Sequence, residues 1–297
     1  MLIRRQMLGV AAALIAFSIV GPHAAQAQDR LKVLATFSIL GDFVIAVGGN
    51  RVDVTSLVGP NSDAHVYSPA PADARKVADA KVVVTNGLGF EGWMGRLVRA
   101  SGTKAKVIET TSGIATRKLA DGHADPHAWQ SAEHGKIYVA NIRDALVATD
   151  PPGRADYESN AAAYLAKLDA LDRELKAAVA SIPAERRRII SSHDAFGYLQ
   201  QAYGIEFIAP QGLSTESEAS ARDVARIITQ IKREKIPAVV LENISDPRLL
   251  ERIAKETGAR LGGKLYSDAL TDRNGDAPSY IDMMRHNMRQ IVAALRG

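Results

Sequence analysis

Pro151-Pro152-Gly153, then RADYESNAAAYLAKLDALDRELKAAVASI over residues 154–182, then Pro183: this is the stretch on which the fold turns. Tyr157, Ala161, Tyr164, Leu168, Leu171, Leu175 and Val179 recur at steps of three and four. That spacing is one apolar face of a helix of about seven turns. Prolines bound it at both ends. On either side the rhythm is different, with short apolar runs alternating with helical patterns. A long helix between two such blocks is a stiff connector, not a floppy linker.

In the first block, residues 31–37 (LKVLATF) read as a strand and 37–48 as a helix. Residues 52–58 form a second strand, ended by the turn cluster Gly59-Pro60-Asn61-Ser62-Asp63. Residues 71–79 begin a helix with Pro71 in its first turn. Strands follow at 81–85, with its run of three valines, and at 104–109, then a helical stretch at 135–148. The second block repeats the style. Strands are expected at 188–192, 205–209, 238–242 and 264–267, and helices at 221–234, 247–257 and 279–296. Such alternation argues for mainly parallel sheets covered on both faces. The expected fold class is α/β: two Rossmann-like lobes joined by one long rigid helix. The expected division is a leader at 1–27, lobes at 28–153 and 184–297, and the linking helix at 154–183. No sequence repeat is visible; the duplication is one of pattern.

The leader is read from Arg4 and Arg5, an apolar run from Met7 to Val20, and the cleavage signal Ala25-Gln26-Ala27. The paired arginines also fit a twin-arginine signal. No cysteine follows the apolar run, so a soluble periplasmic protein is expected, not a lipid-anchored one. Without Arg4 and Arg5 the formal charge falls from +4 to +2. The basic residues are scattered among acids, so nucleic acid is not an expected partner. The chain reads as a monomer. It has no cysteine, which excludes disulfides and thiolate ligands alike. Histidine and carboxylate must do any metal binding.

His65, His127, His193 and Asp268 are spaced by 62, 66 and 75 residues. Each lies past an apolar run or in a loop with turn chemistry, where open α/β sheets place ligands. Three imidazoles and one carboxylate fit a four-coordinate zinc site. Taken singly, a loop histidine is more often a solvated or hydrogen-bonded residue than a ligand; four such residues together at strand ends shift the reading toward a metal site. His134 and His286 fall in helical patterns and read as surface residues. Asp63 and Asp125 read as turn residues, and Asp194 as a carboxylate supporting a ligand or as a helix N-cap.

Six segments carry a resemblance. They are Ala64-His65-Val66-Tyr67-Ser68-Pro69, Thr85-Asn86-Gly87-Leu88-Gly89-Phe90-Glu91, Asp125-Pro126-His127-Ala128-Trp129, Ser192-His193-Asp194-Ala195-Phe196, Leu213-Ser214-Thr215-Glu216 and Tyr266-Ser267-Asp268. With these in order, the chain resembles the zinc/manganese solute-binding proteins of bacterial ABC transporters. The resemblance implies two α/β domains on one rigid helix with metal in the cleft, and His65, His127, His193 and Asp268 as ligands. It puts Asn86, Glu91 and Glu242 near the cleft. It implies a periplasmic receptor that captures Zn2+ and passes it to an ABC importer permease. Manganese-type members resemble this chain but place a glutamate where His193 stands. Imidazole suits zinc and harder oxygen ligands suit manganese, so His193 argues for zinc, with Mn2+ the alternative.

Many zinc members carry a long histidine-rich insertion. Here residues 121–125 stand in its place, with His123 its one histidine. His123 is an auxiliary ligand or a plain loop residue, and a metallochaperone could take the insertion's role. The rigid helix should limit closure of the cleft, with His127 and its loop the candidate moving part. Two rivals are a zinc hydrolase, with three histidines, a water and Asp268 as base, and an adhesin with structural metal. The chain lacks H-E-x-x-H and G-x-S-x-G signatures, so an enzyme is not expected.

Overall fold

The computed structural model describes residues 29–119 and 122–296. The leader and Asp121 lie outside them. The first lobe runs β1 (Leu31–Phe37), α1 (Ser38–Gly48), β2 (Val52–Val58), α2 (Pro71–Asp79), β3 (Val82–Thr85), α3 (Met94–Ser101), β4 (Lys106–Glu109) and α4 (Ala132–Thr149). The long helix α5 (Arg154–Ala180) follows. The second lobe runs β5 (Arg188–Ile190), α6 (Gly197–Tyr203), β6 (Glu206–Ile208), α7 (Ala221–Glu234), β7 (Ala238–Glu242), α8 (Arg248–Thr257), β8 (Arg260–Leu265) and α9 (Tyr280–Arg296).

Both sheets are parallel and share one topology. The first is ordered β2-β1-β3-β4, the second β6-β5-β7-β8. In each the strand order reverses beside the first strand, which opens a crevice at the carboxyl ends. β3 is buried along its whole length, as a run of valines between helix layers should be.

The helix α5 buries the seven apolar positions that its periodicity picks out, and Asp172 with them. It packs on α1 and α4 of the first lobe and on α6 and α9 of the second. One hydrophobic core therefore runs through both lobes, from Val33 to Leu295. A smaller core, including Ile190, Ile227, Ile231 and Ile253, lies under α7 and α8. Hydrogen bonds also cross directly between the lobes. Ser38 Oγ accepts from Leu270 N at 3.0 Å, and Asp42 Oδ2 accepts from Tyr280 N at 2.8 Å. Burial pushes the Asp42 carboxyl up to about 6. Leu168 is fully buried at the middle of α5. Leu168→Ala should cost roughly 2–5 kcal/mol, read as a lowered midpoint in urea unfolding. An unchanged midpoint would show that the rod is not part of the cooperative core.

Two places depart from the sequence reading. The last strand was expected at 264–267 but begins at Arg260. Gly262 and Gly263 hide it: a Cβ at Gly262 would meet Ala294 and Val240 at 3.0 Å, and one at Gly263 would meet Gln290 at 2.0 Å. α9 and its neighbours pack closely over these two glycines, which stand where β-branched residues would have signalled a strand. The short helices α3 and α6 were not expected; neither is long enough for a periodic pattern to show.

Candidate metal centre

Each of the four residues is set by a local device. His65 follows the turn after β2, where Asp63 Oδ1 accepts from His65 N at 2.8 Å. The indole of Trp93 donates to Ala64 O at 2.9 Å and pins the preceding residue. His127 opens a short helical turn between β4 and α4, and its N donates to Asp125 Oδ1 at 3.0 Å. His193 lies beyond the end of β5, where Glu242, at the end of β7, accepts from Ser192 N and His193 N at 2.7 and 3.1 Å. Asp268 follows β8. Trp129 Nε1 and Gln130 Nε2 both donate to Ser267 O, at 2.9 and 2.7 Å.

These devices bring one ligand atom from each residue to within 4.8 Å of the others. His65 Nε2 is 3.3 Å from His127 Nε2 and 3.2 Å from Asp268 Oδ2. His193 Nε2 is 3.2 Å from Asp268 Oδ2, and His127 Nε2 is 3.8 Å from Asp268 Oδ1. A tetrahedron with metal–ligand bonds of about 2.0–2.1 Å has edges of about 3.3–3.4 Å, so the cluster has the size of such a shell. The His65 side chain is 4% exposed and the other three are 0%. Among the described residues, neither oxygen of Asp268 has a donor in hydrogen-bond geometry. A buried carboxylate surrounded by ring nitrogens needs a shared cation, proton or metal.

The rings are oriented from behind. His127 Nδ1 is 2.8 Å from Asp125 Oδ1, and His193 Nδ1 is 2.7 Å from Glu242 Oε2. A carboxylate on Nδ1 holds each ring with Nε2 toward the cluster, where a neutral ring offers its lone pair to a metal. Burial pushes the His193 imidazole down, but the carboxylates of Glu242 and Asp268 outweigh it and hold its pKa well above the ordinary value. Burial pushes Asp268 up, but His193 and His127 outweigh it and hold it well below the carboxylate range. Asp125 and Glu242 follow the same pattern: burial raises each, and the adjoining imidazole brings each below its usual value. Glu242→Gln should weaken metal affinity about 10–100-fold with little change in unfolding, measured by competition with a chelating dye. Unaltered affinity would remove Glu242 from the site.

Several readings need correction. Asp125 is no simple turn residue: it is fully buried and takes His127 on one oxygen and Arg117 on the other, the latter at 2.7 Å. Asp194 neither caps α6, whose N-cap is Phe196, nor supports the His193 ring, which Glu242 does. His286 is buried, with Nε2 3.0 Å from Lys264 O, and His134 is half-buried against the ring of Tyr198. The loop of His127, read above as the candidate moving part, is closely tethered. Asn86 Nδ2 donates to Pro126 O at 2.8 Å, Tyr198 OH to Asp125 O at 3.1 Å and Tyr280 OH to Trp129 O at 2.6 Å. Tethers from both lobes hold it. Asn86 is itself fixed: its N donates to buried Glu91 at 2.7 Å and its Oδ1 accepts from Tyr138 OH at 2.5 Å. The next residue, Gly87, has φ +89° and no room for a side chain against Thr111 and Glu109.

His123 lies outside the four-residue cluster. It is exposed, next to an isolated antiparallel bridge between Lys118 and Ala124. With His65, Phe90 and Glu216 it lines a cavity of about 490 Å³ at the mouth of the cleft.

The family model for ZnuA, zinc-uptake complex component A periplasmic, matches residues 33–294. The chain belongs to this family. ZnuA-family membership makes it a substrate-binding component of metal transport and not an enzyme. This ZnuA-family chain is 35% identical to the manganese-binding lipoprotein MntA of Halalkalibacterium halodurans, over 90% of this chain and 89% of that one. It is 34% identical to the iron ABC transporter substrate-binding lipoprotein MtsA of Streptococcus pyogenes serotype M1, over 95% and 94%. Among solved structures it resembles the periplasmic zinc binding protein TroA from Treponema pallidum. There the TM-score is 0.86 and the identity 30%, over 90% of this chain and 99% of that one. Among the described residues no helix is long and apolar enough to cross a membrane.

Proposed function

We propose that this chain captures Zn2+ in the periplasm and delivers it to the permease of an ABC importer, with His65, His127, His193 and Asp268 as ligands. The observation that carries the reading is the convergence of three ring nitrogens on a carboxylate with two orphaned oxygens, all in the cleft. Three neutral imidazoles and one carboxylate around a divalent ion leave one net positive charge in a dry site. Nitrogen-rich ligation favours zinc over manganese. Four protein donors fill a tetrahedron and leave no position for a substrate water, so the hydrolase rival lacks its nucleophile. The metal would leave on the side of His65, the one ligand that lines the mouth cavity. We read the receptor as a monomer, since one chain supplies every ligand.

Manganese is the second reading, favoured by the manganese relatives and by the two free oxygens of Asp268, which suit a harder ion. The test is to strip the mature chain and offer zinc and manganese together near pH 7. One zinc retained per chain is the expected result. Retained manganese would overturn the zinc preference and leave the receptor. No retained metal would overturn both.

A further inference from the structure

Arg117 belongs to the loop between β4 and α4, far in sequence from the second lobe. Its NH1 donates to Asp125 Oδ2 at 2.7 Å, while the other oxygen of Asp125 takes the His127 ring. The two backbones lock together, with Asp125 N donating to Arg117 O at 2.8 Å. Arg117 N donates to Tyr198 OH at 2.9 Å, and that hydroxyl donates onward to Asp125 O. Tyr198 and Gly197 open α6 of the second lobe. The guanidinium lies against Gly197 so closely that a Cβ there would meet Arg117 NH1, Cζ and Nε at 2.2 to 2.6 Å. Its NH2 is 3.9 Å from Asp194 Oδ2. The outer side of Arg117 borders a surface cavity of about 510 Å³ that Gln200, Asp223 and Arg226 also line. Arg117 thus joins three things: the carboxylate behind a ligand ring, the first helix of the opposite lobe, and solvent.

We propose that Arg117 is a positioning residue for metal retention: through Asp125 it fixes the His127 ring, and through Gly197 and Tyr198 it ties that ring to the second lobe. This rests on the reading of His127 as a ligand. The planar group bonds Asp125 with one nitrogen while its Cζ and Nε lie against Gly197, a pair of contacts that a lysine ammonium does not make. In this arrangement the lobes cannot shift at α6 without moving the support of His127. Metal release is then coupled to a lobe movement of the kind a docked permease would impose.

The experiment uses the full mature chain loaded with zinc and chased with excess chelator. Arg117→Ala should release zinc about 10–100-fold faster, the range for removing a group that supports a ligand. The visible spectrum of the Co2+-loaded variant should change, because His127 is no longer held. Millimolar guanidinium, which reaches the gap through the surface cavity, should restore slow release better than Arg117→Lys does. Gly197→Ala, which keeps the arginine but displaces it, should also speed release and serves where Arg117→Ala fails to fold. Wild-type release rates and an unchanged Co2+ spectrum in both variants would overturn the proposal. So would faster release that guanidinium does not slow and that follows a lowered unfolding midpoint of the metal-free chain. A wild-type chain that holds no metal would instead count against the receptor reading.

Discussion

Asp268→Ala should abolish tight metal retention while leaving the fold intact. Asp268 is the only anion among the four clustered residues, and it is fully buried. Without it, three neutral rings would face a divalent ion with no anionic ligand, since the carboxylates of Asp125 and Glu242 act only from behind the rings. We expect affinity to fall at least about a thousandfold, equivalent to about 4 kcal/mol. The fold should survive with a modest loss of metal-free stability, because neither oxygen of Asp268 accepts a hydrogen bond of good geometry and only its attraction to the neighbouring rings is lost. Its neighbours are held by others: Trp129 and Gln130 fix Ser267 through its carbonyl. Chelator competition gives the affinity, and thermal unfolding of the metal-free variant gives the fold. A variant that binds zinc as tightly as the parent would remove Asp268 from the ligand set. One that unfolds without metal would reassign it to structure.

The second large effect is on pH. In the metal-free chain the carboxylates of Glu242 and Asp268 overcome burial and hold the His193 proton well above the ordinary histidine range. Zinc must expel that proton, so binding near pH 7 should release at least about one proton per metal. Calorimetry in buffers of different ionisation enthalpy counts it. The stability consequence has a definite sign. A raised folded pKa contributes stability that is fully present below the unfolded value of about 6.5 and is lost as pH rises through the folded one. This group therefore favours the metal-free fold toward lower pH, while the bound form gains toward higher pH. The depressed Asp268 works the other way: its contribution is present above the usual carboxylate pKa and disappears only as pH falls through its lower folded value. Metal should accordingly leave in mild acid while the lobes remain folded. The rise in unfolding temperature on adding zinc should be larger at about pH 8 than at about pH 6. An equal rise at both, with no proton released, would refute the protonated His193.

Much of the architecture was legible because its signals are periodic. The seven apolar positions of α5 are the seven it buries, and the valine run of β3 is fully buried. Asp172 was the exception on that face, a buried carboxylate that takes Lys176 Nζ at 2.6 Å, which no apolar pattern can announce. The convergence of His65, His127, His193 and Asp268 was foreshadowed by their placement at strand ends. Their supports were harder to see. Asp125 stands two residues before His127 and reads as turn chemistry, because local sequence does not reveal that Arg117 closes the other side. Glu242 is about fifty residues from His193, and only the pairing of β5 with β7 makes them neighbours. His286 looked like a surface residue because nothing in its helix shows that β8 covers that face.

The chain has two tryptophans, and both indoles donate to the residue just ahead of a clustered side chain: Trp93 to Ala64 before His65, and Trp129 to Ser267 before Asp268. Trp129 also packs 5.3 Å from the His127 ring. All indole fluorescence of this molecule therefore originates beside the cleft. The native chain thus carries two internal optical probes in its first lobe, one beside His65 and one bridging to Ser267 of the second. Replacing either by phenylalanine would separate the two signals and show, without any added dye, whether the contact behind His65 or the one behind Asp268 responds first.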